Sequence, residues 1–176
     1  MVDADNESRG AEQLQHALEL GYAYLNRRDR TTSEVRLQLE RRGVSEVAAE
    51  AAIERLVEQR LLDDERFAGL FVSDKRELEQ WGSERIRRGL LARGIDRHQV
   101  DAALDADARA RGGEGGDIVD DEPETELDRA LAVLRRRFPT PPEDRRDRER
   151  ALGVLLRKGY ESELALDALA AHTRGD

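Results

Sequence analysis

Cysteine is absent from the 176 residues, which excludes disulfides, thiolate metal sites and cysteine nucleophiles and is compatible with a reducing cytoplasm. Aromatic residues make up only 4% of the chain, which argues against a β-sandwich or barrel. No apolar run approaches the roughly 20 residues of a membrane span, and the acidic start at residues 1–7 lacks the apolar core of a signal peptide. The sequence therefore predicts a cytoplasmic protein with no membrane partner.

Charge is plentiful but unevenly distributed. Charged residues make up 39% of the chain and the net charge is −9, yet eight acids fall between Glu114 and Asp128 with no Lys or Arg among them. The rest of the chain is therefore nearly neutral. Because Gly112–Gly116 and the acidic run after it offer little apolar area to bury, residues 112–124 are predicted to be a flexible insert.

Local signals for helices are frequent. The first helix is predicted from Gln13 to Arg27, and Thr31–Glu34 reads as a capping box. Ser45, Asp63 and Ser83 are predicted to cap later helices. An apolar stripe with helical spacing is predicted to face inward; it consists of Phe67, Leu70 and Phe71.

A pattern of leucine, basic residue, glycine and apolar residue occurs three times. The three glycines, Gly43, Gly94 and Gly159, are predicted to end helices in the left-handed conformation. In their common register the matching residues are Leu39, Leu90 and Leu155; Arg42, Arg93 and Lys158; Val44, Ile95 and Tyr160; Ala52, Ala103 and Ala168; and Ile53, Leu104 and Leu169. Units this small need stacked neighbours to be stable.

The repeat predicts an elongated all-α protein of three tandem three-helix units. The predicted boundaries are a disordered N-terminal tail at 1–12, repeat 1 at 13–61, repeat 2 at 62–111, the insert at 112–124 and repeat 3 at 125–176.

The middle unit carries the most distinctive run, Leu62-Asp63-Asp64-Glu65-Arg66-Phe67-Ala68, followed by Gly82-x-x-Arg85-Ile86 and Arg93-Gly94-Ile95. The first unit adds Ser33-Glu34-Val35, and the third adds Leu155-Leu156-Arg157-Lys158-Gly159-Tyr160. This three-unit pattern resembles the RecX family of regulatory proteins, which modulate the RecA recombinase. The chain departs from it in the long insert and at Gln80-Trp81, where the family often has a basic residue before glycine.

The resemblance implies a non-enzymatic regulator with a curved, all-helical fold. Family members bind RecA, notably its filament on single-stranded DNA, lodge in the filament's helical groove, and restrain filament growth, ATP hydrolysis and strand exchange. From this resemblance we expect a role in regulating homologous recombination, DNA repair and the SOS response. The protein is expected to act as a monomer.

The residues give no separate support for catalysis, a metal or a cofactor. His16, His98 and His172 lack metal-ligand spacing and are interpreted as solvated or packing side chains. Gly112–Gly116 lacks the Gly-Lys-[Ser/Thr] ending of a phosphate loop, and the acids that follow it would repel phosphate.

The basic residues near the stop glycines are the candidate contacts with RecA or with DNA phosphates. Those of the middle unit are Arg85, Arg87, Arg88, Arg93 and Arg97, and those placed similarly in the other units are Arg41, Arg42, Arg157 and Lys158. The alternative is that they form only a solvated helix face. Trp81, the sole tryptophan, is either a packing residue or an interface anchor.

Two other functions compete with the RecA regulator. A helix-turn-helix DNA reader would place its last helix in the major groove, but the last helices here carry acids such as Glu54, Asp101 and Asp167. Because these last helices are acidic, the DNA contact that remains open is a weak, non-specific one through the basic residues. A generic helical-repeat adaptor for another protein is also compatible with the composition.

Overall fold

The structure, a computed structural model, describes residues 2–111 and 125–174, so the predicted insert at 112–124 lies outside the described residues. Within that part of the chain the only regular elements are α-helices, which confirms the all-α fold. They are α1 (Val2–Leu25), α2 (Thr32–Arg41), α3 (Glu46–Glu58), α4 (Asp64–Glu77), α5 (Ser83–Leu91), α6 (Arg97–Arg111), α7 (Glu126–Arg137), α8 (Arg145–Lys158) and α9 (Ser162–Arg174).

Three predicted helix starts are confirmed. The Thr31 hydroxyl accepts from the Glu34 N–H at 3.2 Å while the Glu34 carboxylate accepts from the Thr31 N–H at 3.3 Å, which is the reciprocal pair of a capping box. Ser45 caps α3 through the Ala48 N–H, and Asp63 caps α4 through the Arg66 N–H at 2.8 Å.

The start of α1 differs from the prediction. The helix begins at Val2 rather than Gln13, so it includes residues assigned from sequence to a disordered tail. This segment contains no proline and includes alanine and glutamate, both good helix formers, which permits the helix to extend.

Two further predictions are wrong because distant contacts override local signals. Ser83 is the first residue of α5 and not its cap; its N–H donates to the Glu126 carboxylate of α7 at 2.8 Å. Leu70 is 52% exposed, while the buried residues of α4 are Ala68, Val72 and Arg76. The inward face of α4 is thus rotated away from the predicted stripe, and it includes a charged side chain.

The three stop glycines are confirmed as helix ends. Gly43, Gly94 and Gly159 have φ of +77°, +78° and +87°, the left-handed region that a side chain disfavours. After Gly43 and Gly159 the next N–H turns back to the helix, from Val44 to the Leu39 carbonyl and from Tyr160 to the Leu155 carbonyl.

The chain divides into two compact units, each with its own core. Unit 1 is Met1–Ala68 with Ala92–Asp96, and unit 2 is Gly69–Leu91 with Arg97–Asp176. The buried cluster of unit 1 is Ala17, Val35, Leu39, Ala49, Ala52, Ile53, Leu56 and Leu62. The largest buried cluster of unit 2 joins α7, α8 and α9 and includes Leu131, Leu134, Leu155, Tyr160 and Leu169.

In unit 1 the first turn of α2 packs against the stop glycine that follows α5. The Thr31 hydroxyl, fully buried, donates to the Arg93 carbonyl at 2.7 Å, and Arg93 forms an ion pair with Glu34 at 2.7 Å. Gly94 touches Ser33 so closely that a Cβ there would overlap its side chain. The Asp64 carboxylate accepts from the Thr32 N–H at 2.8 Å. We call this arrangement the first joint.

In unit 2 the first turn of α5 packs in the same way against the stop glycine after α8. The Gly82 N–H donates to the Lys158 carbonyl at 2.8 Å, and the Glu84 N–H donates to the Gly159 carbonyl at 3.2 Å. A Cβ on Gly82 would overlap the Gly159 backbone, and one on Gly159 would overlap Arg85. We call this arrangement the second joint.

The two joints share one design. In each, N–H or hydroxyl groups at a helix start donate to carbonyls that follow a helix end, which satisfies both sets of groups. In each, an acid at the start of a later helix, Asp64 or Glu126, caps the first N–H of the receiving helix. The sequence register identified the glycines but not these partners.

The second joint is supported by a buried arginine. Arg76, 5% exposed, lies 3.3 Å from the Glu126 carboxylate and 3.4 Å from that of Asp107, and it donates to the Ser83 hydroxyl at 2.7 Å. Burial alone would raise the pKa of Glu126, but its hydrogen bonds from Ser83 and the Arg76 cation hold that pKa below its ordinary value. Arg76 therefore ties the start of α7 to α4, α5 and α6.

Candidate partner-binding surface

The basic residues predicted as contacts in the middle unit are not all available to a partner, because some of them form ion pairs within the protein. Arg87 forms ion pairs with Glu84 at 3.3 Å and with Asp101, and Arg93 is held in the first joint by Glu34. These two side chains therefore stabilise the fold. Arg88 and Arg97 are exposed; Arg88 donates only to the Glu84 carbonyl of its own helix, at 3.3 Å.

Arg85 packs on Trp81 within unit 2. Its guanidinium lies 4.1 Å from the centre of the indole, and one of its nitrogens donates to the Arg157 carbonyl at 2.9 Å. Lys75 lies on the same ring at 4.9 Å, and Phe71 meets it edge-on at 6.4 Å. Trp81 is thus a half-buried packing residue with cation–π contacts, which agrees with the simpler of its two predicted roles.

The predicted basic residues of the third unit lie at the second joint. Arg157 is exposed at the last turn of α8, and the Lys158 ammonium donates to the Glu79 carbonyl at 2.6 Å. Partial burial lowers the pKa of Lys158, and repulsion from Arg136, Arg85 and Arg137 lowers it further. Positive charge from α5, α7 and α8 therefore meets at one place.

Further arginines on α7 and α8 extend this concentration of positive charge beyond the predicted residues. An open groove of about 450 Å³ runs beside them; it is lined by Arg137, Phe138, Arg146, Glu149, Arg150, Val154 and Arg157. Arg136, exposed on α7, donates to the Gln80 side chain at 2.7 Å. We use the term basic surface for Arg85, Arg136, Arg137, Arg146, Arg150, Arg157 and Lys158.

Sequence reasoning missed four members of this surface. Arg136, Arg137, Arg146 and Arg150 are far from the glycine pattern on which the prediction relied. The signal was nonetheless present, because α7 ends in three consecutive arginines and the first half of α8 carries four. Arg150 lies seven residues before Arg157 on α8, a spacing that places both on one helix face, whereas Arg136 and Arg137 reach this surface only because α7 lies beside α8.

The basic surface is suited to binding anions. The groove is lined by four arginines and by Glu149; Arg150 also pairs with Asp147 at 3.0 Å, and the remaining excess of positive charge attracts carboxylates or phosphates. Binding of an anion there would also relieve the mutual repulsion that lowers the pKa of Lys158.

The predicted residues of unit 1 behave differently. Arg41 ends α2 and Arg42 follows it, and both side chains are exposed. A second open groove in this unit, of about 550 Å³, is lined by Tyr22, Ala23, Leu25, Asn26, Asp29, Arg60, Leu61 and Arg66. It has no concentration of one charge.

The described residues contain no cluster suited to a metal ion. No group of three or more His, Cys, Asp or Glu side chains there is arranged to hold a metal ion. His172 is buried, with Nε2 2.9 Å from the Phe138 carbonyl, so it is a packing histidine. Across residues 2–111 and 125–174, no helix has the length and apolar character to cross a membrane.

Comparison with known proteins identifies the three-helix units. Three family models match in order: the first three-helix domain of RecX at 17–56, the second at 63–104 and the third at 124–169. These matches agree with the order of the predicted repeats.

Full-length relatives show the same family. The regulatory protein RecX of Mycobacterium sp. strain JLS is 31% identical, over 99% of this chain and 89% of that protein. The regulatory protein RecX of Leptothrix cholodnii is 30% identical, over 83% of this chain and 82% of its own length.

Solved structures share the fold. The crystal structure of RecX from Lactobacillus salivarius superposes with a TM-score of 0.74 at 18% identity, covering 94% of this chain and 99% of that one. A second crystal structure of a regulatory protein RecX gives 0.72 at 23% identity, covering 100% and 78%. With its three matched domains and full-length relatives, the chain belongs to the RecX family of regulatory proteins.

Proposed function

We propose that the protein binds the RecA recombinase and its filament on single-stranded DNA, and that it inhibits recombinase activity, ATP hydrolysis and strand exchange. Membership of a regulatory family supports a role of this kind. The basic surface of unit 2 is the observation on which the proposed binding site rests.

The proposed contact is electrostatic. Arg136 and Arg157 are exposed and lie among further arginines, so a partner surface can approach their charges closely. A nucleoprotein filament offers both acidic protein side chains and DNA phosphates. Exposed charges steer association and fix orientation more than they add affinity, so the contact should depend on salt.

We propose a cytoplasmic monomer acting on the filament rather than a sequence-specific DNA reader. The helices that end the three-helix units are α3, α6 and α9. They expose acids such as Glu54 and Asp105, which would repel phosphates in a major groove. Weak, non-specific DNA contact through the basic surface remains part of the proposal.

A pull-down against RecA tests this function. We expect the protein to be retained by RecA filaments on single-stranded DNA and to slow their ATP hydrolysis. Retention by neither filaments nor free RecA would overturn the proposal and favour an adaptor for another protein. Sequence-specific, nanomolar binding to duplex DNA without RecA would favour the DNA reader.

A further inference from the structure

Lysine is rare in this chain, and its two lysines meet at one place in unit 2. Of the 30 lysines and arginines, 28 are arginines, and the lysines are Lys75 and Lys158. The Lys158 ammonium donates to the Glu79 carbonyl at 2.6 Å, and the Lys75 ammonium forms an ion pair with the Glu79 carboxylate. The two amines share this neighbour, so the rest of their surroundings decides how their reactivities differ.

The surroundings of Lys158 are cationic. Partial burial lowers its pKa, and repulsion from Arg136, Arg85 and Arg137 lowers it further, against a weaker attraction from Glu79. At a given pH, more of this side chain is therefore a neutral amine than is usual for lysine. A neutral amine keeps an N–H for the Glu79 carbonyl and also presents a lone pair, which makes it the nucleophilic form.

The surroundings of Lys75 are those of a bound cation. Its ammonium lies 4.9 Å from the centre of the Trp81 ring and 5.6 Å from that of Phe71, in addition to its ion pair with Glu79. A carboxylate and two aromatic rings attract a positive charge. Because Lys75 and Lys158 are both partly buried, Lys75 is a matched control with the opposite electrostatic surroundings.

We propose that Lys158 is a site of acylation by small acyl phosphates, of which acetyl phosphate is the simplest. Guanidinium groups bind phosphate oxygens, and several of them lie beside this amine. Arg137 and Arg157 line the open groove of α7 and α8, and the exposed Arg136 precedes Arg137 on α7. An acyl phosphate that binds these arginines is concentrated at the amine whose protonated form the arginines repel.

The reaction balances without a further reactant. The Lys158 nitrogen attacks the carbonyl carbon, a C–N bond forms, and the C–O bond to the phosphate breaks. Inorganic phosphate leaves with the bonding electron pair, and the nitrogen loses one proton to solvent. The amide product retains an N–H for the Glu79 carbonyl, while it loses the positive charge that the arginines repel.

Acylation of Lys158 goes beyond the proposed function. It would remove one positive charge from the basic surface, which any anionic partner would sense. The reaction itself needs only the protein and the acyl phosphate, so it is tested without RecA. A chain that does not bind filaments would therefore contradict the proposed function and leave the acylation site standing.

Incubation of the full-length, folded chain with acetyl phosphate tests the site. Mass spectrometry of protease digests measures the rates of acetylation at Lys158 and Lys75. At pH 8 and low salt we expect Lys158 to react at least threefold faster than Lys75. In the chemically denatured chain the difference should disappear, because each lysine then has only an adjacent arginine in sequence, Arg157 or Arg76. A smaller ratio in the folded chain, or faster reaction at Lys75, would overturn the inference.

Substitution of two arginines tests the binding of the phosphate. Arg136→Gln with Arg137→Gln should lower the rate at Lys158 at least threefold with acetyl phosphate, with an unchanged helical circular-dichroism signal. The matched pair Arg41→Gln with Arg42→Gln removes the same charge from exposed positions of unit 1 and should change that rate less than twofold. Equal losses in the two variants would overturn the assignment of these arginines.

An uncharged reagent separates phosphate binding from the reactivity of the amine. Acetic anhydride carries no phosphate, so the loss of rate at Lys158 in Arg136→Gln with Arg137→Gln should be smaller with this reagent than with acetyl phosphate. An equal loss with both reagents would overturn the choice of an acyl phosphate as the acyl donor.

Discussion

At the scale of single residues, the three stop glycines separate two reasons for needing glycine. All three have positive φ, but the close packing at Gly94 and Gly159 is added by neighbouring helices, and Gly43 has none. The backbone requirement is local, and the pattern of basic residue, glycine and apolar residue predicts it from the sequence. The packing requirement depends on which helix start comes close, so it could not be predicted from local spacing.

Alanine substitution at the three glycines should therefore have unequal effects. We expect Gly43→Ala to lower the free energy of unfolding by about 1 kcal/mol, the cost of a left-handed alanine. Gly94→Ala and Gly159→Ala should lose about 2–4 kcal/mol, because overlap with Ser33 or Arg85 adds to the same backbone cost. Urea denaturation measures the difference, and equal losses at all three positions would contradict the joints.

Arg60 has a left-handed backbone without being glycine, with φ of +58° just after α3. Arg60→Gly should raise the free energy of unfolding by about 1 kcal/mol, because glycine adopts this conformation without the Cβ penalty. Glu54→Gly, at an exposed position inside α3, is the control and should lower it by about 0.5–1 kcal/mol. Thermal unfolding compares the two, and a loss of stability in Arg60→Gly would contradict the assignment.

At the scale of helices, local signals predict a helix start or an inward face correctly only where no contact from a distant part of the sequence overrides them. The Thr31–Glu34 capping box and the Asp63 cap need only residues three apart, so sequence predicts them. The start of α5 at Ser83 and the exposure of Leu70 depend on Glu126 and on the buried Arg76, which are far away in sequence. The apolar periodicity of α4 does not predict that an arginine lies on its buried face.

The Arg76–Glu126 contact makes the stability of unit 2 depend on pH. Because the folded pKa of Glu126 is lowered, its stabilisation is fully present above the unfolded pKa, about 4.3, and is lost as pH falls through the folded pKa. Glu126→Gln should cost about 2 kcal/mol at pH 7, since hydrogen bonds to charged groups contribute about 1.5–3 kcal/mol. That cost should shrink in urea titrations as the pH is lowered from 5 to 3.

The control for this prediction is an acid in an exposed pair. Glu149→Gln removes an ion pair with Arg145, whose side chains are 63% and 93% exposed, so it should change stability by about 0.5 kcal/mol or less. A cost for Glu126→Gln that stays constant between pH 7 and pH 3 would contradict the role of the ionised carboxylate.

At the scale of the whole chain, family and fold class could be predicted from the sequence, but the candidate surface could be predicted only in part. Arg157 and Lys158 were found because they lie beside a stop glycine. Arg136 and Arg137 were missed, because they join that surface only when α7 lies beside α8. The ion pairs of the predicted contacts Arg87 and Arg93 could not be foreseen, because their partners Asp101 and Glu34 lie 14 and 59 residues away in sequence.

Charge reversal on the basic surface gives the final prediction. Arg136→Glu with Arg157→Glu should weaken filament binding about tenfold at low salt, a loss of about 1.4 kcal/mol in binding free energy. The reason is that two positive charges that attract the anionic filament are replaced by two negative charges that repel it. Arg55→Glu with Arg66→Glu makes the same charge change on unit 1 and should have less than a threefold effect. If the surface contacts DNA phosphates, the slope of log affinity against log salt on bare single-stranded DNA should become shallower by about 1.4 in the first variant, about 0.7 for each lost phosphate contact. Equal binding by both variants would exclude the basic surface.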